Sequence, residues 1–159
     1  MGTRPRRDRL TRPVPAEADA DAAERDFTAM WRAALPIARD MLEHQRRVIP
    51  FAVVITTDGG VSLVGLDLPE RRRPPPRHML ASVQRALAAK ADDLRAVATI
   101  TDFDIEGGDA IVIELEHRDG TALTARVPFA RRRPAGPIVF GELEPHPGSP
   151  RLWTGRGPR

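Results

Sequence analysis

The residues best suited to chemistry lie between Thr101 and Gly120, in the stretch TDFDIEGGDAIVIELEHRDG. Asp102, Asp104, Glu106 and Asp109 surround two glycines there. Alternating carboxylates ahead of a glycine suit a hard cation such as calcium, whose loop takes oxygens at positions 1, 3 and 5, a glycine at 6 and a bidentate carboxylate at 12. With Asp102 at the first position, Asp104, Glu106 and Gly107 fit, but the twelfth position falls on Ile113 and the flanks alternate as strands do. The metal candidate that survives is a set of carboxylates on one sheet face, Asp102, Asp104 and Glu114. A solvated hairpin edge is the plainer reading of the same residues.

Other chemistries find less support. Without cysteine, thiolate metal sites, disulfides and cysteine nucleophiles are all excluded. His44, His78, His117 and His146 stand on separate elements without a ligand spacing such as HExxH, and each reads as a surface or helix-end residue. Glu116 and His117 are neighbours on a strand, so they point to opposite faces and make no simple acid–histidine pair. Ser62, Ser82 and Ser149 sit in no nucleophile elbow. Gly59–Gly60 and Gly107–Gly108 join strand to strand, and so lack the helix N-terminus that binds phosphate. No cofactor is expected.

The pI near 10.7 raises the question of nucleic acid. Residues 1–12 carry five arginines against Asp8, a net of +4, whereas the whole chain carries +3, so residues 13–159 sit at about −1. Basicity therefore belongs to a tail and to two arginine groups, Arg71–Arg73 and Arg131–Arg133. Lys90 is the sole lysine among 25 cationic residues, which fits a GC-rich coding habit as well as it fits a binding site. With no tyrosine and 4% aromatic residues, little is available for base stacking.

The elements that must position these residues follow from periodicity. Residues 1–20 mix Pro, Arg, Ala and acids without a period and are expected to form a disordered tail. Phe27, Met30, Trp31, Ala34, Leu35, Ala38, Met41 and Leu42 draw one apolar stripe on a helix from about Asp21 to His44, with a kink or restart at Pro36. Two β-branched runs, residues 49–57 and 61–66, flank Asp58-Gly59-Gly60 as a hairpin. PERRRPPPRH reads as an extended linker. A second helix over residues 78–94 turns Leu80, Val83, Leu87, Ala91 and Leu94 inward. Strands follow over residues 96–105, 110–117, 121–129 and 138–143. One domain over residues 21–145 is expected, then a Pro/Gly-rich tail, 146–159, whose Leu152 and Trp153 can dock on the body. The expected class is α+β, a mainly antiparallel sheet of about six strands with two helices on one face, in the order α-β-β-α-β-β-β-β.

Pairing register can be tested against burial, because a slip of one residue moves every side chain to the other face. A three-residue loop, Arg118-Asp119-Gly120, sets Leu115 opposite Leu123, Ile113 opposite Ala125 and Ile111 opposite Val127. The same rule applied to Glu106-Gly107-Gly108 pairs Phe103 with Ile111 and Thr101 with Ile113. Asp102, Asp104, Glu114, Glu116 and Arg126 then share the outer face with Ile100 and Val112. An apolar pair within a charged face suggests a contact surface made of Ile100, Val112, Glu116 and Arg126.

In PFAVVITTDGGVSLV, LRAVATITDFDI, DAIVIELEHRDG and VPFARRR…GPIVFGELE, over residues 27–145, the chain resembles a group of small α+β proteins of high-GC actinobacteria. The resemblance implies a compact domain in a bacterial cytoplasm and supplies no functional residues. The N-terminus offers no apolar segment of secretory type and no run is long enough to span a bilayer, so a cytoplasmic location without membrane contact is expected. The leading functional expectation is a non-enzymatic protein-interaction module, adaptor, chaperone-like or immunity-type, working on a partner or by self-association. The alternatives are a nucleic-acid-binding accessory protein using the arginines, and a carboxylate-dependent metal enzyme.

Overall fold

The computed structural model describes residues 15–66, 74–105, 108–134 and 136–154. The expected tail up to residue 14, Arg71–Arg73 and the tip of the Glu106–Gly107 turn lie outside the described residues. The class and the element order are as the sequence predicts.

Helix α1, Pro15–Gln45, starts six residues before the expected Asp21. Its apolar stripe buries Phe27, Met30, Ala34, Ala38 and Leu42, with Trp31, Leu35 and Met41 half-buried beside them. A fully buried Met or Leu in such a stripe contributes about 1.5–3 kcal/mol. Pro36 causes no restart: it sits on the exposed side, so the carbonyl that loses its partner faces water. The helix stops where Arg46 turns left-handed at φ 64°. His44 lies at the exposed end, its Nδ1 3.0 Å from the Asp40 carbonyl.

The strands are β1 (Phe51–Thr56), β2 (Val61–Val64), β3 (Leu94–Ile105), β4 (Gly108–His117), β5 (Ala122–Arg131), β6 (Ile138–Phe140) and β7 (Glu144–Pro147). They form one antiparallel sheet in the order β2-β1-β3-β4-β5-β6, with β7 also on β5. The Asp58-Gly59-Gly60 signal makes the first hairpin, with Gly59 at φ 95°. Helix α2, Pro76–Lys90, begins with proline in its first turn, where the missing N–H costs nothing, and runs into a 3-10 turn at Ala91–Asp93.

The helices occupy opposite faces, not the single face expected. Val53 and Ile55 pack with α1, while Ala52 and Val54 pack with Val83 and Leu87 of α2. β1 is therefore covered on both sides. A continuous apolar run such as FAVVI, without polar alternation, is what a doubly covered strand requires.

The β3–β4 hairpin also departs from the expected register. Ile105 pairs with Gly108, so the loop has two residues rather than three, and the ladder runs Phe103 with Ala110, Asp102 with Ile111, Thr101 with Val112 and Ile100 with Ile113. This slip of one residue exchanges the faces of β3. Ile100 is 0% exposed and lies in the α1-side core with Ala98, Ile111 and Ile113, so it is no part of an outer surface. The β4–β5 register, with Leu115 opposite Leu123 and Ile113 opposite Ala125, is as expected.

The last expected strand, residues 138–143, is shortened to β6, and β7 follows as a strand that the sequence reading does not expect. β6 pairs with Phe129–Arg131 and β7 with Leu123–Arg126, with one extra residue between them. The fold continues past residue 145: His146 and Pro147 belong to β7, and Trp153 is buried between the sheet and the α2 side. Gly148 permits that crossing, because a Cβ there would stand 2.6 Å from the Leu123 nitrogen.

Candidate interaction surface

The three metal candidates are not brought together. Asp102 sits on the α1 side of β3, where its Oδ2 accepts the backbone N–H of Val48 at 2.9 Å and holds the chain leaving α1. Glu114 pairs with Thr99 and Thr124 on the opposite face, and its Oε1 lies 3.4 Å from Nη2 of Arg151. The side chain of Asp104 lies outside the described residues. Among the described residues no group of three metal-ligating side chains converges.

The charged cluster that the structure does build was missed in the sequence. Asp26 of α1 accepts two hydrogen bonds from Arg95 at the start of β3, from Nε at 2.8 Å and from Nη2 at 2.9 Å. His117, expected at the surface, is 9% exposed, with Nε2 3.1 Å from the Asp26 carboxylate and the ring edge-on to Phe27. Its Nδ1 lies 3.2 Å from the backbone nitrogen of Asp119. Nδ1 also lies 3.2 Å from Oδ1 of Asp119, so the ring stands between the carboxylates of Asp26 and Asp119. Both ring nitrogens are engaged within the cluster. The Arg95 guanidinium holds the Asp26 carboxyl below the usual carboxylate range, against burial and with help from His117. The cluster fastens the first half of α1 to one end of the sheet. Its only trace in the sequence is an aspartate one residue before Phe27, at a helical position flanking the apolar stripe.

Of the expected contact residues, Val112, Glu116 and Arg126 do share one face, on the α2 side. Val112 is half-buried, and Arg126 donates to Glu144 at 3.0 Å. Glu116, at 7% exposure, has a structural role. Its carboxylate accepts the backbone N–H groups of Leu152 and Trp153 at 2.9–3.1 Å, and the Trp153 indole N–H reaches the Ala91 carbonyl at 3.3 Å. The strap so held roofs a groove of about 300 Å³ between Gln84, Thr99, Glu114, Thr124 and Arg151. Of the arginine groups, Arg131 is committed to the body, its Nη2 donating to the Leu42 carbonyl at the end of α1 and its Nη1 to Gly136. Arg132 and Arg133 are exposed.

The two borders of the sheet differ. At one, β2 pairs only with β1 among the described residues, and Val61 and Leu63 are 53% and 58% exposed. Both stand on the α1 side, opposite Ile55 and Val53, beyond the reach of α1. From Gly59 to Leu66 there is no charged residue. The other border is shared by β6 and β7, and β7 carries Pro145 and Pro147. Gly148 donates to the Ala122 carbonyl, which makes 122–148, 124–146 and 126–144 the hydrogen-bonded pairs and turns positions 145 and 147 outward. Prolines at those two positions leave β7 no outward N–H. That is a common protection for an edge strand, and β2 has none of it.

No helix among the described residues is long and apolar enough to cross a membrane. Compared with known proteins, the chain matches no protein-family model, no curated protein and no solved structure.

Proposed function

We propose that the protein is a cytoplasmic, non-enzymatic interaction module that receives a partner along the edge of β2 that is open among the described residues. One observation carries this: an uncharged edge strand with two exposed apolar side chains on one side, whereas β7 at the other border has prolines at both of its outward positions. Single exposed apolar residues are ordinary on a protein surface. Two on one side of an open edge strand favour strand addition, in which main-chain hydrogen bonds give affinity and alternate side chains give selectivity. The full engagement of both His117 nitrogens and the separation of Asp102 from Glu114 weigh against the catalytic alternative.

The experiment is affinity capture from cell extract with the wild-type chain and with Leu63→Asp. Partners retained by the first and lost by the second are expected. An identical set of partners on both would overturn the assignment to β2.

A further inference from the structure

Resting on that reading of β2, we propose that its occupant is a second copy of the same chain, joined β2 to β2 in antiparallel orientation about a two-fold axis through Ser62. The argument begins with the main chain. Thr56 donates to the Gly60 carbonyl at 2.9 Å, so Thr56–Gly60, Val54–Ser62 and Ala52–Val64 are the hydrogen-bonded pairs of the first hairpin. Val61 and Leu63 therefore turn their N–H and C=O groups away from β1, toward the open edge. An incoming strand must hydrogen-bond to those two residues.

Register then selects the axis. Pairing that keeps both sheets face to face must match Val61 and Leu63 with residues of the same side. An axis midway between Ser62 and Leu63 sets Val61 against Val64, which points to the α2 side and is already buried there. An axis at Leu63 sets Val61 against Gly65, leaving an apolar side chain with nothing to meet. An axis at Ser62 sets Val61 opposite Leu63 of the other copy and Leu63 opposite Val61, as hydrogen-bonded pairs on both sides. Cross-strand apolar pairs of this kind each contribute favourably to strand pairing.

Charge and closure favour a copy of this chain. The strand and its flanks from Gly59 to Leu66 carry no charge, so two copies meet without like-charge repulsion. Positions 145 and 147 of β7 offer no N–H, so head-to-tail stacking of β2 on β7 lacks donors, while β2 on β2 about a two-fold axis is closed by its own symmetry as a dimer. The strand is four residues long, so the dimer should be weak and dissociate on dilution.

The absence of cysteine supplies the test. Residues at a non-hydrogen-bonded antiparallel position have Cα atoms about 4.5 Å apart, within disulfide range. Ser62→Cys, treated with oxidised glutathione, is expected to form a disulfide-linked dimer at least about tenfold faster than Ser149→Cys, an exposed thiol far from the axis. Sedimentation of the wild-type chain is expected to move from 17.5 kDa toward twice that mass as concentration rises, and Leu63→Asp to hold it at the lower mass. A chain that stays monomeric, with both thiols linking at the control rate, overturns the self-pairing. So does a dimer insensitive to Leu63→Asp. If a different protein is still captured in a Leu63-dependent way, β2 remains a docking edge with another occupant. If none is, the docking edge falls as well.

Discussion

Asp26 and Arg95, 69 residues apart in sequence, meet as a two-pronged ion pair whose carboxylate also receives Nε2 of His117. The pair ties α1 to the strand that carries Arg95 at a point where the apolar stripe of the helix has its first aromatic residue, Phe27. Geometry of this kind is costly to break from one side, because the remaining charge keeps its desolvation without its partner.

Asp26→Asn should therefore lower stability at neutral pH by about 2 kcal/mol, less than for a wholly buried pair because Arg95 retains access to water. The Asp26 carboxyl titrates below its unfolded value, so in the acid window between the two values the unfolded chain binds more protons and stability rises with pH. The contribution is complete above the unfolded value near 3.8 and disappears as pH falls through the lower folded value. Urea titrations from pH 2 to 7 should show a shallower acid slope in Asp26→Asn than in the wild-type chain. Equal slopes would remove Asp26 from the account.

The strap gives a second expectation. Trp153 fills a cluster with Leu87, Leu94 and Val97, and its backbone N–H is held by Glu116. Trp153→Ala should cost about 3–5 kcal/mol, in the range for removing a large buried ring. Glu116→Gln keeps the shape and one acceptor oxygen, and should cost about 1–2 kcal/mol by replacing charge-assisted bonds with neutral ones. In a Trp31→Phe background Trp153 is the single fluorophore. Its emission should move to the red in Glu116→Gln before global unfolding, and an unchanged spectrum through the whole transition would mean that the strap does not depend on that carboxylate.

Register yields a third. With Ile100 opposite Ile113 in the core, Ile100→Asp buries an unpaired charge and should prevent folding, a loss above about 4 kcal/mol. Val112→Asp, half-buried on the other face, should cost about 1–2 kcal/mol and leave the chain folded. Circular dichroism of the two variants separates the ladders: under the register first read from the sequence, both positions would lie outward and both substitutions would be tolerated.

Why some of this was legible and some not has a physical explanation. The stripe from Phe27 to Leu42 repeats at helical spacing over four turns, so noise at any one position does not obscure it. The Arg118-Asp119-Gly120 loop was legible because three consecutive apolar pairs reinforced one register. At Glu106-Gly107-Gly108 the test rested on one apolar pair, Phe103 with Ile111, while Thr101 against Ile113 was no match. The true ladder makes two such pairs on the α1 face, Ile100 with Ile113 and Ala98 with Leu115, and a third, Phe103 with Ala110, on the other. The two covered faces of β1 had a signal in the unbroken FAVVI run, which the expectation of two helices on one face left unused. Asp26 with His117, and Glu116 with the strap, join residues far apart in the chain, and no local period records them.

The prolines of β7 allow a last expectation, on the border opposite β2. Pro145 and Pro147 occupy the two outward positions of that strand, where a residue with an N–H would donate to any passing strand. Pro145→Thr with Pro147→Thr restores both donors and adds β-branched side chains suited to a pleated edge. A molecule with two open edges, β2 and β7, has head-to-tail pairing available, which need not close. The double variant should form species larger than a dimer with increasing concentration, seen by light scattering, and adding Leu63→Asp should abolish them by removing the complementary edge. If the double variant scatters like the wild-type chain at every concentration, the prolines are not what keeps that border from pairing.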